Sequence, residues 1–223
     1  MSRYADLPKK ALRRVLLLPR QMYLITKRRR VVNTSPSIIS NNCLAGIVLS
    51  DLKLRFNTPT INLYFTREDF VVFVQNLTEY LSLDMQEDME AEEGFPVGRL
   101  SGSAGDVRVY FMHYGSFTEA KSKWVERSGR VDLGNLYIVM HANPETSRAT
   151  LEAFDALEFD HKVVLSPGPR DGVSSLFPIS YYESAHDPQT TIFDYPGPYS
   201  IKRYLDEFDF VSFINSGRTS ARQ

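Results

Sequence analysis

The sequence predicts an α/β domain with a mainly parallel sheet and helices on both faces, a three-layer, Rossmann-like arrangement. Short apolar runs alternate with helical patterns of roughly ten to fifteen residues, which is the rhythm of strands joined by crossover helices. Several of these runs end in polar residues, namely Asn41-Asn42-Cys43, His113-Tyr114, His141-Ala142-Asn143 and Ser166. The bulk composition is ordinary for a globular chain: 223 residues, 43% hydrophobic and 24% charged, enough for a sizeable core without disulfides or metals.

The elements follow in order. Residues 1–35 read as a basic N-terminal arm, 36–215 as a single α/β domain and 216–223 as a tail. Ser37-Ile38-Ile39-Ser40 is a short strand, broken by Asn41-Asn42-Cys43, and Leu44 to Leu49 opens a helix. Residues 60–65 alternate as a second strand. Thr66 then caps a helix whose apolar face is Phe70, Phe73, Val74, Leu77 and Leu81. The acidic block 84–93 reads as an exposed loop. A strand over 107–112 runs into His113, and Ser116 or Thr118 opens a helix through Ala120, Trp124 and Arg127. Strands at 136–140 and 162–165 flank a helix at 147–157. Residues 167–199, rich in Pro, Gly and Tyr, read as loop, and a last helix covers 200–214.

Charge is balanced overall at -1 but unevenly placed. Ten basic residues stand against Asp6 before residue 31: Arg3, Lys9, Lys10, Arg13, Arg14, Arg20, Lys27, Arg28, Arg29 and Arg30. Such an arm suits an anionic membrane surface, and equally a solvated helix docked on the domain. No apolar run approaches the ~20 residues that cross a bilayer, and the run from Val15 to Pro19 is too short for a secretory core. The single cysteine, Cys43, forms no intramolecular disulfide and fits a reducing compartment. The expected location is the cytoplasm, with a peripheral place at the inner membrane face.

Two groups of words carry a family resemblance. One is Ile38-Ile39-Ser40-Asn41-Asn42-Cys43 with Gly46, followed by Phe56-Asn57-Thr58-Pro59-Thr60-Ile61-Asn62-Leu63. The other is Phe95-Pro96-Val97-Gly98, then Phe111-Met112-His113-Tyr114-Gly115-Ser116-Phe117-Thr118-Glu119-Ala120 and Lys123-Trp124. Over roughly 36–215 the chain resembles a bacterial exopolysaccharide-biosynthesis family classed as a domain of unknown function. Leu44 departs from that pattern, where an aromatic residue is expected. The resemblance implies a role in capsule or exopolysaccharide assembly and an α/β fold. It implies no reaction and no catalytic residues.

The residues themselves suggest a site at the strand ends. Imidazole is the side chain best suited to act as a base near neutral pH, so His113 at a strand end suits a general base for a sugar hydroxyl; its plain alternative is a loop-holding histidine. His141 reads the same way, more weakly, while His161 and His186 read as structural or exposed. Asn41, Asn42, Asn62 and Asn143 suit hydroxyl recognition or turn chemistry, Tyr114 stands beside His113, and the helix after Asn42 suggests free amides for a phosphate. Cys43 reads as a buried structural thiol rather than a nucleophile. Trp124 and Phe117 read as core, and Lys121, Lys123 and Arg127 as a solvated face or phosphate contacts.

No dinucleotide fingerprint, phosphate-binding loop, nucleophile elbow or zinc spacing is present, and no cofactor is named by any motif. The chain is also short for a two-domain glycosyltransferase. The expected function is therefore a transferase moving an acyl or glycosyl group to a sugar hydroxyl, acyl transfer being the better fit. Its partners would be a sugar or lipid-linked saccharide and an activated donor. The rival is a non-catalytic carbohydrate- or partner-binding subunit of the assembly machinery. Nucleic acid is not expected, for want of a basic face interleaved with aromatics.

Overall fold

Strands β1 (Ser37–Ser40), β5 (Leu136–His141), β6 (Lys162–Pro167) and β7 (Leu176–Ile179) line up as a wholly parallel sheet in the order β1-β5-β6-β7 in the computed structural model, which describes residues 17–181 and 191–216. Residues 1–16 of the arm, His186 and the tail from 217 lie outside the described residues. The chain is thus α/β, as expected. β1, β5 and β6 are buried along nearly their whole length, the habit of parallel strands covered on both faces. One core packs on Ile39, Ile138, Met140 and Val164, and a second on Ile38, Tyr137, Val139 and Leu165.

The second core holds α2 (Leu44–Leu52) and α7 (Phe210–Ser216). The first holds α3 (Arg67–Gln75), α4 (Leu77–Ser82), α5 (Phe117–Ser128) and α6 (Arg148–Asp155). Trp124 is 2% exposed there, its ring 5.8 Å from Phe73 and 6.4 Å from Phe111. Thr66, Ser116 and Ser147 cap α3, α5 and α6 by accepting the amides of Asp69, Glu119 and Thr150.

Several predicted elements take another form. The strand predicted at 107–112 is β4 (Gly105–Tyr110), which belongs to a separate antiparallel sheet with β2 (Gln86–Glu87) and β3 (Val97–Gly102) in the order β2-β3-β4. The reason is legible in Val107-Arg108-Val109: its burial alternates, as in a sheet with one face in the core and one in water. Residues 60–65 form no strand but an irregular segment that bends at Ile61 and Asn62 and is bridged to β4 through Tyr64 and Tyr110. That segment and the loop before it cover the open edge of β1: Thr60 Oγ1 accepts the Ser40 amide at 3.1 Å, and the Phe65 amide donates to Asn41 O at 2.9 Å.

The acidic block 84–93 is not all loop, for it contributes β2 and buries Asp88 between Arg99 and Arg108. The helix predicted through Leu81 breaks at Asn76. Residues 167–199 contribute β7. The helix predicted at 200–214 is a 3₁₀ turn at Tyr204–Glu207 followed by α7. No helix separates β6 from β7; instead Asp155, at the end of α6, accepts the amides of Ser174 and Ser175 at 2.9 and 2.8 Å. Burial would raise that carboxyl, but the serine contacts hold it down to about 2.

Helix α1 (Leu17–Arg29), within the predicted arm, is held on the domain by buried ion pairs. Arg20 reaches Asp206 at 2.5 Å and Asp51 of α2 at 2.8 Å, and Lys27 reaches Asp206 at 3.1 Å. The Asp206 side chain is 4% exposed. Burial alone would raise its carboxyl, yet Lys27, the Arg203 amide and Arg20 together hold it below the usual value. Asp206→Asn leaves two buried cations short of a partner, which should destabilise the fold by about 3 kcal/mol. The expected readout is a lower urea midpoint with an unchanged denaturant slope, together with faster proteolysis across residues 17–30. An unchanged midpoint would show that α1 does not depend on this carboxylate.

Candidate functional site

Asn41, Asn42 and His141 meet at the carboxyl edge of the parallel sheet, as the strand-end pattern suggests, but their polar groups are already engaged. The Asn41 carboxamide donates to His141 O at 3.1 Å and accepts the His141 amide at 2.8 Å. It behaves as an extra peptide group, continuing the β1–β5 ladder by one rung, and it is 3% exposed.

Asn42 Oδ1 accepts the Leu44 amide at 3.1 Å, which turns its Nδ2 toward His141 Nδ1, also at 3.1 Å. Nδ1 is therefore the acceptor of a neutral ring, and Nε2–H faces the Tyr181 hydroxyl at 3.3 Å. Burial, reinforced by the nearby charge of Arg67, lowers this imidazole to about 4. It is thus a neutral brace between β1 and the end of β7, with both nitrogens occupied. The phosphate cradle predicted at the start of α2 is filled from within: Leu44 N donates to Asn42, and Ala45 N to Ser40 Oγ at 3.0 Å.

The other predicted residues are not part of this cluster. His113 lies in the turn after β4, a strand of the antiparallel sheet; it is exposed and makes no hydrogen bond among the described residues. The expectation that it shares an edge with Asn42 rested on a parallel strand that is not there. Asn143 is turned into its own loop, its Oδ1 accepting Thr146 Oγ1 at 2.8 Å. Tyr114 donates to Ile61 O at 3.2 Å and accepts from Arg127 Nη1 at 2.8 Å, so it stands behind Arg127.

Asn62 alone of the predicted asparagines faces open space. It adopts a left-handed φ of 62° and lines a cleft of about 410 Å³ beside α2. Cys43, Phe56, Asp51, Arg127 and Arg203 share that cleft. The Arg127 guanidinium lies 5.9 Å from the Phe56 ring centroid and has no carboxylate partner among the described residues. Arg203 pairs with Asp51, which also holds Arg20. Burial pushes the Cys43 thiol up, so it is protonated at neutral pH, and its Sγ lies 3.8 Å from Leu63 O.

Chemically, this is a concave, positively biased surface with an amide and an aromatic face, suited to an anion that also carries hydroxyls. The sequence signal for Arg127 was its place at i, i+4, i+7 with Ala120 and Trp124, the stripe of α5 that faces inward. Arg203, Phe56 and Asp51 carried no such signal, because long-range pairing alone gathers them. Among the described residues, no group of three or more His, Cys, Asp or Glu side chains is placed to hold a metal ion.

Fold and cleft together define an α/β protein with a cleft, lined by Arg127 and Arg203, next to the strand ends of a parallel sheet. The chain belongs to the family described as a domain of unknown function, DUF1919, whose model matches residues 17–215 and thus takes in α1. It is similar to an uncharacterized protein of Haemophilus influenzae, with 34% identity over 198 residues, covering 88% of this chain and 93% of that one.

The state of His141 generates a pH prediction. Its folded pKa is depressed from 6.5 to about 4, so the unfolded chain binds the extra proton between those values. The stabilisation is then present above pH 6.5 and is lost as pH falls toward 4, by up to about 3 kcal/mol. Urea midpoints of the wild type should fall over that window more steeply than those of His141→Gln. Parallel curves would show that the ring does not titrate in this way.

Proposed function

We propose that this chain serves polysaccharide assembly by holding an anionic saccharide, a sugar phosphate or lipid-linked sugar phosphate, in the cleft beside α2. The observation that carries this reading is Arg127: a guanidinium without a carboxylate, backed by Tyr114 and Phe56, facing a cleft it shares with Arg203. Its fork suits phosphate oxygens, while Asn62 supplies donors and an acceptor for ring hydroxyls. The two-cored parallel sheet is taken here as a three-layer, Rossmann-like arrangement, in which ligands sit beyond the strand ends. A free Cys43 suits a reducing compartment, so the work is set in the cytoplasm.

The transferase reading keeps one observation in its favour. Cys43 lines the same cleft as the two arginines, so a thiol stands beside the anion site. The opposing facts are that burial keeps this thiol protonated and that arginines occupy Asp51, which leaves the cleft better equipped to bind than to react.

Titration calorimetry with a hexose 1-phosphate, inorganic phosphate and the free hexose tests the binding reading. The hexose 1-phosphate should bind, and Arg127→Ala should weaken it about tenfold or more with little change in melting temperature. Equal affinity in that variant would remove the cleft as the site. Turnover of the sugar phosphate with an acyl or glycosyl donor that disappears in Cys43→Ser, with binding intact, would replace the binding reading by the transferase one.

A further inference from the structure

Helix α1 is built inside out. Its charged residues Arg20 and Lys27 face the domain, 7% and 9% exposed, together with Leu24 at 4%. Its opposite side carries Leu18 at 76% and Met22 at 62% exposure, followed along the same stripe by Ile25 and Arg29, a spacing of i, i+4, i+7 and i+11. Leu17, 56% exposed, adds to the apolar end. A helix that buries charge and presents leucine and methionine to solvent leaves an amphipathic surface without a partner among the described residues.

We infer that this outward face of α1 docks on an anionic lipid bilayer. The charge pattern selects this occupant. Arg29 is exposed and has no carboxylate partner among the described residues, and Arg28 donates to the Asp51 carbonyl rather than to an acid. Ahead of the helix stand Arg3, Lys9, Lys10, Arg13 and Arg14, with Asp6 the sole acidic residue among the first thirty. Each basic side chain near an anionic surface strengthens attachment about fivefold, and Leu18 and Met22 supply the wedge that enters the headgroup boundary.

The helix lies on the bilayer rather than crossing it, since thirteen residues span about 20 Å and none of the described helices is long and apolar enough to cross a membrane. A second copy of the chain fits less well. Three exposed apolar side chains fall far short of the roughly 800 Å² per partner of a stable interface, and the like-charged arms would repel.

The test is sedimentation of the full chain with vesicles of mixed phosphatidylglycerol and phosphatidylcholine, against phosphatidylcholine alone. The wild type should sediment with the anionic vesicles at low salt, less with the neutral ones, and less as salt is added. Leu18→Ser with Met22→Ser removes the wedge without changing the charge; it should weaken binding about tenfold or more at an unchanged melting temperature, because both side chains are exposed. Equal binding of wild type and double variant would overturn the proposal, as would absence of wild-type binding. A wild-type dimer that the variant dissociates, without vesicle attachment, would assign the face to a second copy instead.

Discussion

The buried charge cluster of Arg20, Lys27 and Arg203 with Asp51 and Asp206 is the constraint on which the rest of this structure leans. Two carboxylates serve three cations, and the five side chains come from three separated stretches of chain: α1, α2 and the 3₁₀ turn before α7. Because Arg20, Lys27 and Asp206 lose most of their water there, removing one partner costs more than the pair itself contributes. The cluster therefore acts as a specification of position. It orients Arg203 at the cleft wall, and it turns α1 so that Arg20 and Lys27 point inward and Leu18 and Met22 outward. One set of pairs thus decides two separate surfaces of the molecule.

A second fixed point lies at the carboxyl edge of the sheet. Asn41 completes a rung between β1 and β5, Asn42 caps α2, and the neutral imidazole of His141 joins Asn42 to Tyr181. This edge is where an α/β sheet exposes its strand ends, and here the chain satisfies them with its own side chains. The consequence is that the open cleft sits one step aside, flanked by Cys43 and Asn62. The words Asn57-Thr58-Pro59-Thr60 have a related task. Thr58 and Thr60 are fully buried and bonded to each other at 2.9 Å, and Thr60 supplies the acceptor that edge strand β1 would otherwise lack.

The antiparallel sheet extends the first core rather than the site. Gly98 and Gly102 on β3 allow close approach, since a Cβ would stand 2.3 Å from Met85 Sδ at the first and 2.8 Å from the Tyr80 ring at the second. Tyr80 in turn donates to Gly105 O at 2.8 Å, tying α4 to the β3–β4 turn. His113, exposed just past the end of β4, lies on this accessory layer and so outside the cluster of Asn41, Asn42 and His141.

By itself the sequence determined what depends on local chemistry. The cap at Thr66 was legible, and so were helix starts at Ser116 or Thr118 and near Ser147, because a hydroxyl three residues ahead of an amide can open a helix. The strands Ser37–Ser40, Leu136–His141 and Lys162–Pro167 were legible because runs buried on both faces read as unbroken apolar words, and Trp124 declared itself as core by its helical spacing. Tertiary structure alone decided what depends on pairing between distant residues. Strand-like residues 107–112 did not state which sheet they would join, and Leu176–Ile179 hid among Pro and Gly because its neighbour β6, not its own pattern, makes it a strand. Asn41, Asn42 and His141 looked like free recognition groups because a sequence shows donors and acceptors but not whether the fold has already matched them. The cleft was hidden for the same reason: Phe56, Arg127 and Arg203 are brought together only by burial and ion pairing across long stretches of chain, energies that no local window contains.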